Sequence, residues 1–119
     1  MFLLFVCVLF ASLATGLNYR RVGLISATYN VTLNDDIIAC DTSGTNNVVI
    51  NLPPITAQNS GYAITLVDEL GNAGTEAITV NVAGSETFQF SPSPYYLVLN
   101  NVYKTFYSDG VSNWVVSSI

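Results

Sequence analysis

Ala77-Ile78-Thr79-Val80-Asn81-Val82, then Ala83-Gly84-Ser85, then Glu86-Thr87-Phe88-Gln89-Phe90 is the stretch that decides the fold. Ile78, Val80 and Val82 fall on one side and Ala77, Thr79 and Asn81 on the other, the two-residue period of a half-buried strand. A Gly-Ser turn then leads into a second alternating run. Outward from this stretch the same pattern recurs at residues 28–33, 36–40, 48–52, 62–67, 95–100, 102–108 and 114–118. Between these runs lie turn formers: Asp41-Thr42-Ser43-Gly44-Thr45-Asn46, Gly71-Asn72-Ala73-Gly74 and Ser91-Pro92-Ser93-Pro94. Pro53-Pro54 ends the strand before it, because proline has no N–H to give to a ladder. Residues 54–60 are expected to form a connection with one short helical turn. Asp109-Gly110 reads as the tip of a hairpin. The expectation is an all-β, compact antiparallel sandwich or jelly-roll-like module of about eight short strands.

Composition agrees with that reading. The 119 residues allow one domain. Only 9% are charged, and Asn, Ser, Thr and Gly supply most of the polarity. β-Branched and aromatic side chains suit a pleated, half-buried surface. The formal charge is −5, and the three cations are Arg20, Arg21 and Lys104. A nucleic-acid partner is therefore not expected, since binding phosphates needs a basic footprint.

Residues 1–17 form an apolar head, expected to be helical, and residues 18–119 the β module. The run at residues 2–13, FLLFVCVLFASL, is short for a bilayer span, which takes roughly 17–25 residues. Small residues at 12–16 suit a cleaved secretory signal, but no Lys or Arg precedes the run. Arg20 and Arg21 on its far side suit a retained anchor. Both alternatives stay open, and the intact mass of the mature protein separates them. Asn30-Val31-Thr32 is a glycosylation sequon. Cys7 lies in the head, so Cys40 would be the single thiol of a processed chain, expected as a buried small hydrophobe. A disulfide between copies is the alternative.

Chemistry is thin. The chain has no histidine, which removes Ser-His and Cys-His nucleophile activation and His-Cys zinc sites. Gly71-Asn-Ala-Gly74 lacks the Lys-Ser/Thr of a phosphate loop. Asp35-Asp36 and Asp68-Glu69 sit in turns, where adjacent carboxylates do not converge. Asp35, Asp36 and Asp41 match no calcium loop. No catalysis, cofactor or metal is expected. Aromatics crowd the C-terminal third (Phe88, Phe90, Phe106 among them), and Tyr95, Tyr96, Tyr103, Tyr107 and Trp114 form the candidate interface or ligand face, because Tyr and Trp are enriched at such surfaces.

Leu52-Pro53-Pro54, Gly61-Tyr62-Ala63-Ile64-Thr65, Asp68 with Gly71-Asn72-Ala73-Gly74-Thr75, Ile78-Thr79-Val80, Gly84-Ser85-Glu86-Thr87 and the closing Ser108-Asp109-Gly110-Val111-Ser112-Asn113-Trp114 carry a resemblance by their order and spacing. Over residues 29–116 the chain resembles a module found near the ends of phage tail-fibre proteins and in capsid-associated proteins of large DNA viruses. That resemblance implies a trimerising structural unit with no catalytic residues. The expected role is a minor capsid, spike or fibre-type decoration protein of a virion. Its expected partners are itself, as a homotrimer, other capsid proteins, and a membrane through residues 1–17. The directly preceding apolar head departs from fibre modules, which usually follow a long shaft. It favours a capsid surface or capsid–membrane location. A host-receptor or carbohydrate-binding attachment module is the alternative, and a secreted hydrolase acting through carboxylates a third reading.

Overall fold

The computed structural model describes residues 21–89 and 91–117. The apolar head with Cys7 and Arg20, and also Phe90, lie outside the described residues. Ten strands form among the described ones: β1 (Arg21–Ile25), β2 (Thr28–Asn30), β3 (Ile37–Cys40), β4 (Val49–Asn51), β5 (Ala63–Asp68), β6 (Ile78–Asn81), β7 (Thr87–Phe88), β8 (Tyr95–Leu97), β9 (Tyr103–Ser108) and β10 (Asn113–Val116). A 3-10 turn at Ala57–Asn59 stands where the short helical turn was expected.

The all-β expectation holds, but the antiparallel one does not. Two mixed sheets form, in the orders β1-β3-β5-β9-β10-β7 and β2-β4-β6-β8. Up to β6 the chain alternates between them, and every pairing in that part is parallel: β1 with β3, β3 with β5, β2 with β4, and β4 with β6. The chain thus winds through both sheets three times, each turn stacking on the last. It then reverses. β8 closes the four-stranded sheet antiparallel to β6, and β9 lies antiparallel on β5. The Asp-Gly hairpin forms as expected between β9 and β10, while β10 also pairs in parallel with β7. Strand period cannot distinguish these directions, because alternation of faces is the same in parallel and antiparallel ladders. β1 escaped the sequence reading; Gly23 interrupts its apolar run, and Leu24 has a positive φ of 23° beside a register shift.

The face assignment of the deciding stretch is correct. Ile78 and Val80 are buried, while Thr79 and Asn81 are only partly so. Ile38, Cys40, Ile64, Leu66, Phe106 and Trp114 meet Ile50, Ile78, Val80 and Leu97 in one core between the sheets. Cys40 is fully buried, and desolvation, with the charge of Asp68 second, pushes its thiol up to about 12. That is the packing of an inert structural thiol.

Parallel stacking puts identical residues above one another. Asn30, Asn51 and Asn81 are in register on the outside of the four-stranded sheet. Asn81 Nδ2 donates to Asn51 Oδ1 at 3.0 Å, and Asn51 Nδ2 donates to Asn30 Oδ1 at 2.9 Å. This is an amide ladder of the kind that steadies stacked parallel strands.

The junction between coil and reversal is held by Asp68, only 3% exposed at the end of β5. Its Oδ1 accepts from Thr42 Oγ1 at 2.6 Å and from Gly71 N at 3.0 Å. Its Oδ2 accepts from Ala73 N and Asn101 N, both at 2.9 Å. Gly71 has φ +78°, and a Cβ there would stand 2.8 Å from Asn101 Oδ1, so only glycine fits the turn. Burial alone would raise the Asp68 pKa, but the donors from Thr42, Ala73, Asn101 and Gly71 outweigh it and hold the carboxyl below its usual value.

Asp68→Asn puts an amide N–H against backbone N–H groups whichever way it flips, and a loss of about 3 kcal/mol is expected in urea unfolding at neutral pH. Because the folded pKa is lowered, the stability from Asp68 is present above the unfolded value of about 3.9 and disappears as pH falls through the folded value. The variant should therefore lose less stability than the parent between neutral pH and the acid limb, as followed by circular dichroism. Asn51→Ala removes both ladder bonds and should cost about 1–2 kcal/mol, against about 0.5–1 kcal/mol for Asn30→Ala at the ladder's end.

Candidate binding cleft

The five aromatics expected to share a face are divided among three places. On β9 the two-residue period sends Phe106 and Ser108 inward and Tyr103 and Tyr107 outward. Tyr103 and Tyr107 are half exposed and stand in register with Val67 and Ala63 on the outer face of the six-stranded sheet. Trp114 is fully buried and packs edge-on against Tyr62, with ring centroids 6.4 Å apart. It is a core residue and leaves the candidate face. Tyr95 and Tyr96 belong elsewhere, on β8 at the edge of the four-stranded sheet.

These last two border an open cleft, a volume of about 540 Å³. Tyr95 points inward and forms an aromatic triad with Phe88 and Phe106, at centroid separations of 5.4 Å and 5.5 Å. Phe88 and Phe106 are themselves 5.8 Å apart, which locks the ring. Tyr96, its neighbour, points outward and is 54% exposed. The preceding loop brings Ser91, Pro92 and Pro94, with a cis peptide between Ser93 and Pro94. Gln89 enters from the end of β7, and Val116 and Ser117 from the end of β10.

Lys104 completes the lining from β9. It lies on the same side of that strand as Phe106, two residues nearer the strand's start, and is half-buried at the seam between the sheets. A lysine can occupy such a place by laying its methylene stem on apolar neighbours while the ammonium reaches the opening. Among the described residues, the lining contains no Asp or Glu. The arrangement is one firmly held tyrosine, one exposed tyrosine, proline faces, three neutral hydrogen-bonding side chains and one cation. Sequence reading found the tyrosines but missed Lys104, Gln89 and Ser117. The available signal was that Lys104 is the chain's single lysine.

The acidic residues are occupied differently. Asp35 is buried and accepts from Tyr29 Oη and Thr32 N, both at 2.9 Å. Asp41 caps its own turn through Ser43, and Asp109 accepts the N–H groups of Val111, Ser112 and Asn113 at the hairpin tip. Among the described residues, no group of three or more Asp, Glu, Cys or His side chains is placed to hold a metal ion. Asn30 of the sequon is exposed on the edge strand β2, its Oδ1 accepting from Asn51. Among the described residues no helix is long and apolar enough to cross a membrane.

No family model matches the chain, and no curated protein matches it. The likeness to fibre and capsid modules therefore rests on the residues quoted for it.

Trp114 is the protein's one tryptophan, so its burial is directly measurable. Its emission should be blue-shifted and resist quenching by iodide in the native state, and become quenchable on unfolding.

Proposed function

We propose that the chain is a non-catalytic structural module of a virus particle, a decoration or fibre-end unit that acts by self-association, as a homotrimer, and by contact with other capsid proteins. The observation that supports this best is the asymmetry of the coil. One end of the stack is closed by the antiparallel strands β8 and β9, while among the described residues β1 and β2 are the edge strands at the other. At that end the amide ladder stops at Asn30, whose Nδ2 has no acceptor among the described residues. Stacked coils draw their stability from neighbouring repeats, and a one-sided cap suits the terminal unit of a longer assembly. An acidic chain with few cations fits protein contacts rather than nucleic acid. In the same reading, residues 1–17 contribute a membrane contact at the capsid–membrane interface.

A second reading is an attachment module for a host receptor or carbohydrate, favoured by the cleft beside Tyr95 and Tyr96. The two readings are compatible, since a fibre end is where attachment takes place.

Sedimentation of the full chain in mild detergent is expected to give a trimer, and immunogold labelling to decorate intact particles. A species at the monomer mass of 12.8 kDa, with unlabelled particles, would overturn the proposal.

A further inference from the structure

We propose that Asn30 is an N-glycosylation site, receiving an oligosaccharide on Nδ2 in the secretory lumen. This goes beyond the structural reading and depends neither on self-association nor on the cleft.

Three observations converge. The first is in the chain. Asn30-Val31-Thr32 is its single Asn-x-Ser/Thr triplet, and only proline at the middle position would spoil it. The second is the triplet's place. Asn30 is the last residue of β2, and both Asn30 and Thr32 are exposed, whereas Val31 between them is buried and anchors the backbone. The hydroxyl of Thr32 makes only long bonds, donating to Asp35 Oδ2 and accepting from Asn34 N, both at 3.3 Å.

The third is the direction of the amide ladder. Asn30 joins it through Oδ1, which accepts from Asn51 Nδ2 at 2.9 Å. A glycosylated amide keeps its carbonyl oxygen, so the ladder bond survives the modification. Side chains stand roughly perpendicular to a sheet, so the sugar leaves from the outer face while the backbone pairing of Asn30 with Asn51 is undisturbed. Timing also favours transfer. Asn51 lies 21 residues downstream, so Asn30 is synthesised before the strand that will hold it. The product suits the surface too: Leu33, close by in the chain, is exposed, and only 9% of the residues are charged. A bulky, solubilising glycan shields such a surface.

The co-reactant is a lipid-linked oligosaccharide pyrophosphate. A C–N bond forms between Nδ2 and the anomeric carbon of the first sugar, and the C–O bond to pyrophosphate breaks. The lipid pyrophosphate leaves with that electron pair, Nδ2 gives up one proton, and nothing is oxidised or reduced. Residues 2–13 suit the secretory signal that brings a chain to this chemistry, and the inference rests on that reading as well as on the site.

Translation of the full chain with microsomes, followed by protease challenge and electrophoresis, tests both parts. A protease-protected species of lower mobility is expected. Peptide N-glycosidase should reverse the shift, and peptide mass mapping should then find aspartate in place of Asn30. Asn30→Gln and Thr32→Ala should each abolish the shift, while Thr32→Ser and Asn34→Gln should keep it. Protected chain with no shift would refute the site itself. Chain that is wholly digested never meets the enzyme, which would refute the luminal route and with it the proposal. Neither result bears on whether the protein sediments as a trimer.

Discussion

A single buried carboxylate governs where this chain stops coiling. Asp68 ends β5, the last strand of the parallel run in its sheet, and there the chain must leave for the other sheet and later return in the opposite sense. Its two oxygens take a hydroxyl from Thr42, the three N–H groups of the 71–73 turn and the N–H of Asn101 just ahead of β9. Three segments distant in sequence are thereby tied to one point. A buried charge is tolerated only when its lone pairs are filled, and here the donors are mainly backbone. Their positions fix the backbone path itself, so the antiparallel docking of β9 follows from the same contact.

The coil beneath that junction is stabilised differently. Parallel strands from successive turns stack in register, which places Ile38 beside Leu66 and Ile50 beside Val80 inside. Outside, the same register stacks Asn51 on Asn81. The inner rows contribute apolar burial and the outer row contributes amide hydrogen bonds that also penalise a slip in register. A one-residue shift would turn the inner row outward and break the ladder together. Among the described residues β1 and β2 are edge strands at one end, while β8 and β9 terminate the other, and the proposed structural role grows from this polarity.

The closing strands do more than terminate the stack. Because β8 belongs to one sheet and β9 and β10 to the other, capping leaves a seam between them. The aromatic triad fills the inner part of that seam, and the outer part is the cleft. Lys104, half-buried on β9, is part of the cleft's lining. The cap and the cleft thus share residues: Phe106 packs the core, contacts Tyr95 and is two residues from Lys104.

Much was legible in the chain before any coordinates. Two-residue alternation gave nearly every strand, and the inner and outer sides of Ile78, Thr79, Val80 and Asn81 were correct, because one face of each strand must leave water. Turn chemistry located the Asp109-Gly110 hairpin and the Pro53-Pro54 stop. Strand direction was not legible, since alternation is identical whichever way a neighbour runs, and only the path of the connections decides it. Nor could sequence say that Trp114 is enclosed while Tyr103 and Tyr107 are not, or that Lys104 and Tyr96, from different sheets, line one cleft. Those depend on which strands become neighbours. Sequence by itself determined an all-β module with its buried faces, through local period and turn residues. Tertiary structure alone decided the parallel coil, the Asp68 junction and the cleft, because each is made by residues that only long-range pairing brings together.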